Sequence, residues 1–148
     1  MDRFEPLVQE MLEQNKLTCS FAFEKITQEN SFWRLNPKTA SVGFIFRHIG
    51  ETMNLFGYFF GYPPPTANTT MGREDDGTHY DLSESKALIE MGFNLFGNMI
   101  KTLSEEEWSE MIDTPFFGKV SKMRLFSHVL FHNAHHAGQI ALTLSRGA

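Results

Sequence analysis

His128-Val129-Leu130-Phe131-His132-Asn133-Ala134-His135-His136-Ala137-Gly138-Gln139-Ile140 lies within a segment whose apolar residues recur at helical spacing, from Met123 and Leu125 through Ile140 and Leu144. That spacing predicts a long helix over about residues 121–145. Four of the chain's six histidines fall inside it. Side chains four apart on a helix stand one above the other, so His132 and His136 share a face, about 6 Å apart along the axis. His128 continues the row but sits about 12 Å from His136, too far for all three to share one ion easily. His135 points about 100° away from His136. Two imidazoles converging from one helix need a third ligand from another.

Working outward, Thr114 to Val120 holds Pro115 and Gly118 and reads as a turn or short extended link. Ser104-Glu105-Glu106-Glu107 has the form of a capping box opening a short helix around Trp108 and Met111. Leu88, Met91, Leu95, Met99 and Leu103 mark the buried stripe of a third long helix, capped by Asp81 or Ser83. Residues 62–80 are rich in Pro, Thr, Asn and Gly without apolar periodicity, and are expected to form a long, mobile surface loop. Before them, Val42, Ile45, Ile49, Met53, Phe56 and Phe60 predict a second helix to about Gly61. Thr39 or Ser41 would cap it, and Pro63-Pro64-Pro65 stops it. Asn30 to Lys38 is a connector broken by Pro37. Residues 5–28 form the first helix, on Leu7, Val8, Met11, Leu12, Cys19, Ala22, Phe23 and Ile26, with Asn15 as a polar member of the stripe, best placed at a solvated boundary, with lining of the cavity as the alternative. Four long helices and no pair of strands give an all-α four-helix bundle with a short extra helix before the last long one. No internal repeat or second domain is evident, so residues 1–148 read as one domain.

Composition narrows the function. A chain of 148 residues closes a core without disulfides, and Cys19, the only cysteine, has no internal partner. Cys19 falls on the apolar stripe and reads as a buried, inert thiol. The net charge of −5, with no cluster of Lys or Arg, argues against nucleic-acid binding. No apolar run reaches membrane-spanning length. Met1-Asp2-Arg3-Phe4-Glu5-Pro6 has acidic residues and a proline where a secretion leader needs an apolar run, so the expectation is a cytoplasmic protein.

His48 is the candidate third ligand, mid-helix beside Ile45 and Ile49. An imidazole on a core-facing stripe needs a partner for its nitrogen, and a hydrogen bond within the core is the other way to supply one. His132 and His136 likewise have an alternative place on a solvated face. Three neutral imidazoles leave coordination positions open, which suits a catalytic site better than a structural one. Glu51, three residues after His48, shares roughly its face and is the candidate general base, fourth ligand or hydrogen-bonding support. A surface carboxylate is the alternative. His128 and Gln139 are candidates for supporting the ligands from outside the first shell, Gly138 for close approach of another helix, and His79 for a ligand swinging in from the loop. Trp33 and Trp108 suit a subunit contact or a pocket rim.

His48-Ile49-Gly50-Glu51 together with His132-Asn133-Ala134-His135-His136-Ala137-Gly138-Gln139-Ile140 resembles the DinB/YfiT-like family. Trp33-Arg34 through Pro37, Ser41-Val42-Gly43 and Thr114-Pro115-Phe116 also fit its layout. The resemblance covers most of the chain, least so residues 62–80. It implies a DinB-like four-helix bundle holding one divalent metal through His48, His132 and His136, often as a homodimer. It also implies a metalloenzyme, since several similar proteins transfer low-molecular-weight thiols or isomerise a thiol adduct. The family's name refers to DNA-damage induction and does not imply DNA binding.

The leading expectation is a metal-dependent enzyme, a low-molecular-weight-thiol S-transferase acting on a small-molecule substrate. A metal-dependent hydrolase is the alternative, and a non-catalytic dimeric metal-binding stress-response module is the third reading. Zinc or nickel suits the imidazole set best, while iron and manganese also accept it.

Overall fold

Apolar residues at helical spacing bring four long helices together around a core rich in phenylalanine. A computed structural model describes residues 4–148, with helices α1 (Phe4–Phe23), α2 (Val42–Phe56), α3 (Leu82–Thr102), α4 (Glu105–Ser109) and α5 (Lys122–Arg146). The long ones form the expected four-helix bundle, with the short α4 ahead of α5. Met1–Arg3, part of the stretch weighed for a leader, lie outside the described residues. No helix among the described residues is long and apolar enough to cross a membrane.

Helix ends follow from local hydrogen bonding. The Ser41 hydroxyl accepts from Phe44 N–H and Asp81 from Glu84 N–H, so these residues, and not Thr39 or Ser83, cap α2 and α3. Ser104 and Glu107 complete the expected capping box of α4, and Ser121 caps α5. Helix α1 stops at Phe23, short of the expected 28. Lys25 and Ile26 bond back to carbonyls three residues earlier, while Thr27 and Asn30 bond to each other's backbone and side chain. Such local side-chain bonds compete with the helical ladder. Helix α2 tightens into a 3-10 turn over Gly57–Phe60, which Gly61 closes at a φ of 91°.

Helix α2 packs against both α3 and α5, and this fixes the functional seam. Gly92 of α3 lets α2 come close: a Cβ there would stand 2.6 Å from Met53 Cβ. The buried face of α3 consequently runs through Ser85, Leu88, Gly92, Phe96 and Met99. Met91, expected on the stripe, lies outside it and is exposed. Gly138 faces open space instead of a neighbouring helix. Trp108 is buried against Phe60 and Phe126 and is a core residue, at neither a rim nor an exposed contact surface.

Two four-residue strands replace the expected link. β1 (Met111–Thr114) and β2 (Gly118–Ser121) pair antiparallel, with Thr114 opposite Gly118. Strands this short carry too few alternations to show a period of two in the sequence. Thr114 closes the turn, its hydroxyl accepting from Phe117 N–H and donating to Gly118 C=O. The turn carries Phe116 and Phe117 toward the α2–α5 seam, where Phe116 stacks on Phe56 and Phe117 meets His128 edge-on.

Asn15 is buried and not at a solvated boundary. Its amide donates to the Leu130 carbonyl at 2.8 Å, and its oxygen accepts from Asn133 at 3.1 Å. A polar residue on an apolar stripe is thereby satisfied by pairing with the one beside His132.

Candidate metal centre

Helix periodicity places His132 and His136 on the α5 face that meets α2, and His48 comes from α2 opposite them. Contacts between Phe56 and His128 and between His48 and His136 show the two helices running antiparallel. The ring of His48 lies 4.8 Å from that of His132 and 4.7 Å from that of His136, centroid to centroid, and His132 and His136 are 4.3 Å apart. One ring nitrogen from each lies within 4.8 Å of the others. The Nε2 atoms of His48 and His132 stand 2.9 Å apart. Ligand nitrogens around a tetrahedral ion bound at 2.0–2.1 Å are about 3.3 Å apart, so small ring movements suffice. The three histidines could hold one divalent ion.

Their protonation fits that role. Burial, and then the proximity of His136, lower His48 from its ordinary 6.5 to about 4, although Glu51 pulls the other way. Burial and the neighbouring histidines lower His132 to about 2. Burial lowers His136 as well, against a bond to Gln139 that raises it. All three are neutral at pH 7, as ligands must be. His132 Nδ1 is buried and has no hydrogen-bond partner among the described residues. Without a metal the 2.9 Å contact between His48 Nε2 and His132 Nε2 is a hydrogen bond, and a bound cation would take the place of its proton.

The other nitrogens are tied outward in two of the rings. His136 Nδ1 lies 2.7 Å from Gln139 Oε1, which can only accept, so Nε2 is the free nitrogen. His48 Nδ1 lies 3.2 Å from Thr70 Oγ1. Such partners fix ring orientation at metal sites. His128 is half-buried, 5.7 Å from the His132 ring and 4.7 Å from that of Phe117. His135 is exposed, and His79 stacks on Phe32.

Glu51 is fully buried, where the sequence left a surface position open. Its Oε1 accepts from Arg47 Nε at 3.0 Å and from the Thr69 hydroxyl at 2.6 Å. Its Oε2 accepts from the Thr70 hydroxyl at 2.6 Å and from the N–H groups of Thr69 and Thr70 at 3.1 Å each. Burial raises its pKa, but these bonds outweigh that and hold the carboxyl below its ordinary value. Thr69, Thr70 and Arg47 were invisible as site residues in the sequence. Threonine in a Pro- and Asn-rich stretch carries no periodic signal, and only the fold brings the loop onto α2.

The sequence profile of the DinB superfamily matches residues 11–140, which include both histidine motifs. The chain belongs to the DinB superfamily. Solved structures share its fold at low identity. YfiT from Bacillus subtilis, described as a probable metal-dependent hydrolase with an unusual four-helix bundle topology, is 15% identical, with a TM-score of 0.75 over 99% of this chain and 89% of that one. A conserved protein from Enterococcus faecalis is 14% identical, with a TM-score of 0.71 over 97% and 96% of the two chains. A DinB-like protein from Bacillus subtilis is 16% identical, with a TM-score of 0.67 over 94% and 90%. No curated protein matches the sequence. The DinB-superfamily bundle thus extends over nearly the whole chain, and the histidine cluster lies on its α2–α5 seam.

Proposed function

We propose that this chain is a divalent-metal-dependent enzyme that holds its ion with His48, His132 and His136 and activates a small nucleophile. The observation that carries the reading is the meeting of three neutral imidazoles from two helices, with no acidic or cysteine side chain joining the group among the described residues. When bound, an ion with an open coordination position lowers the pKa of a thiol or a water and supplies a nucleophile near neutral pH. Zinc or nickel suits the donors best, and iron or manganese also accepts them.

Transfer of a low-molecular-weight thiol to a small electrophilic substrate is the better-supported reaction. An ionised thiol needs no further proton acceptor, and Glu51, the one candidate base from the sequence, has both oxygens engaged. In this reading Glu51 anchors the site and leaves proton transfer to other groups. Gln139 orients His136, and Phe56, Phe116 and Phe117 form an apolar wall beside His128. Hydrolysis is the second reading. It is favoured by the description of YfiT and by His128, whose pKa burial lowers, so that a neutral ring one turn from His132 is free to take a proton.

The reading is of a cytoplasmic homodimer. Leu7, Met11, Leu17 and Phe21 of α1 and Phe131 and Leu142 of α5 are exposed, a supply of apolar surface suited to a second copy. Light scattering at micromolar concentration should give twice the chain mass.

The test is metal analysis of tag-free protein, followed by cobalt substitution and assays with a thiol plus a fluorogenic electrophile. One equivalent of metal, a cobalt spectrum that shifts on adding thiol, and turnover are expected. Metal-free protein that resists reloading with zinc, nickel, manganese or iron overturns the reading. A metal-loaded protein with an unresponsive spectrum and no turnover supports the non-catalytic module instead.

A further inference from the structure

The loop at residues 62–80 has no regular structure apart from turns, yet it is tied down along α2 and the segment just before it. Thr69 and Thr70 bond to Glu51, Asp75 accepts from Ser41 N–H at 2.8 Å and pairs with Arg34 at 3.0 Å, and the Arg47 guanidinium lies over the Tyr80 ring. Thr70 is only 2% exposed. Its hydroxyl is the one atom of the loop hydrogen-bonded to a histidine of the cluster.

The proton inventory of that hydroxyl is decisive. A threonine hydroxyl has one proton to give and two lone pairs to receive with. Glu51 pairs with the Arg47 guanidinium and takes two backbone N–H groups, an environment that suits only an acceptor. The Thr70 proton therefore goes to Glu51 Oε2, 2.6 Å away. The oxygen can then only accept from His48, so Nδ1 of that ring carries the hydrogen. Nε2 is left bare, and it is Nε2 that faces His132.

We infer that Thr70 is a positioning residue of the metal centre, its hydroxyl linking Glu51 to His48 and holding that imidazole as the Nδ1–H tautomer with Nε2 presented to the ion. This rests on the metal reading above for its consequence, but the tautomer itself does not. A carboxylate acting on a histidine ligand usually does so directly; here a loop threonine stands between them. The loop becomes part of the ligand support, so its docking and metal binding strengthen each other by the same factor.

Nitrogen-15 NMR of the metal-free wild-type protein, labelled at histidine and assigned by a His48→Gln control, reads the tautomer directly. Nδ1–H at His48 is expected, and Nε2–H there overturns the inference whether or not the protein binds metal. Competition titration with zinc then measures the consequence. Thr70→Val should weaken zinc binding by about 10- to 100-fold, while Thr70→Ser, which keeps the hydroxyl, stays near wild type. Thr69→Val is the control for simple loop loosening. It removes the other hydroxyl on Glu51 without touching His48, and zinc affinity should change much less. Equal losses in Thr69→Val and Thr70→Val, or wild-type affinity in a folded Thr70→Val, overturn the positioning role. If Thr70→Val does not fold, the wild-type tautomer still decides. Wild-type protein that binds no zinc but shows Nδ1–H at His48 sinks the metal reading and leaves the tautomer link standing.

Discussion

Two polar clusters lie three residues apart on α2 and are built in opposite ways. Around Glu51 every interaction is complementary: an anion receives a guanidinium, two hydroxyls and two backbone N–H groups. Around His48 the groups are alike: three neutral imidazoles face one another, and a buried nitrogen of His132 has no partner among the described residues. The first cluster is complete without a ligand and serves to hold backbone in place. The second brings like nitrogen donors together, an arrangement suited to a bound cation. Folding stability of the metal-free protein should therefore depend mainly on the first cluster, while ligand binding needs the second directly and feels the first through Thr70.

The sharpest way to break that contrast is to exchange the two losses. The His48→Ala, His132→Ala double variant should lose its equivalent of metal and its turnover, while thermal unfolding of the metal-free protein changes little. A double variant that keeps its metal by elemental analysis would dissolve the distinction. Glu51→Ala should do the reverse in the metal-free protein. It leaves Arg47 and the threonine donors without their acceptor and should cost about 3 kcal/mol in denaturant unfolding. A change near zero would show that the anion is not a structural anchor.

Acid should separate the clusters in order. Burial and mutual proximity hold His48 near 4 and His132 near 2, below the ordinary 6.5. As pH falls below about 6.5, the unfolded chain takes up protons that the folded, metal-free chain refuses. Stability is therefore complete above that value and is lost as pH falls toward 4. The Glu51 carboxyl is held below its ordinary 4.5, so its contribution is lost at still lower pH. Urea midpoints of metal-free protein should fall on acidification from pH 6.5 to 5. The slope there should flatten when His132 is replaced by Asn, and a midpoint that rises on acidification would contradict the neutral cluster.

The smallest expected effect refines the second cluster. Gln139 is exposed, so Gln139→Ala should leave the melting temperature unchanged. It removes the acceptor that turns His136 Nε2 inward, and zinc affinity should fall about tenfold in the same competition titration. No change in affinity would mean that packing alone orients the ring.

Much of this is legible in the sequence alone. Helical spacing marked the four long helices, and the four-residue step between His132 and His136 put both on one face because 3.6 residues make a turn. The capping box at Ser104 was equally plain. The β1–β2 hairpin was not, since its strands are too short for a pattern. Apolar spacing carries helix α1 five residues too far because Ile26 stays buried beyond the helix end. Asn15 reads as a solvated boundary residue because a polar side chain on an apolar stripe has no visible partner until α5 brings Leu130 and Asn133 to it.

The sequence by itself determined the four long helices, most of their buried positions and three candidate ligand histidines, because periodicity and capping are local properties of the chain. Only the tertiary structure decided what surrounds them. It fixed the 2.9 Å approach of His48 to His132, the saturation of Glu51 and the seat of Thr70 between carboxylate and imidazole. The bonds of Thr70 and the approach of the two histidines join residues 19 to 84 positions apart in the chain. They depend on where a patternless loop and two packed helices come to rest, and packing sets that position through the whole core at once.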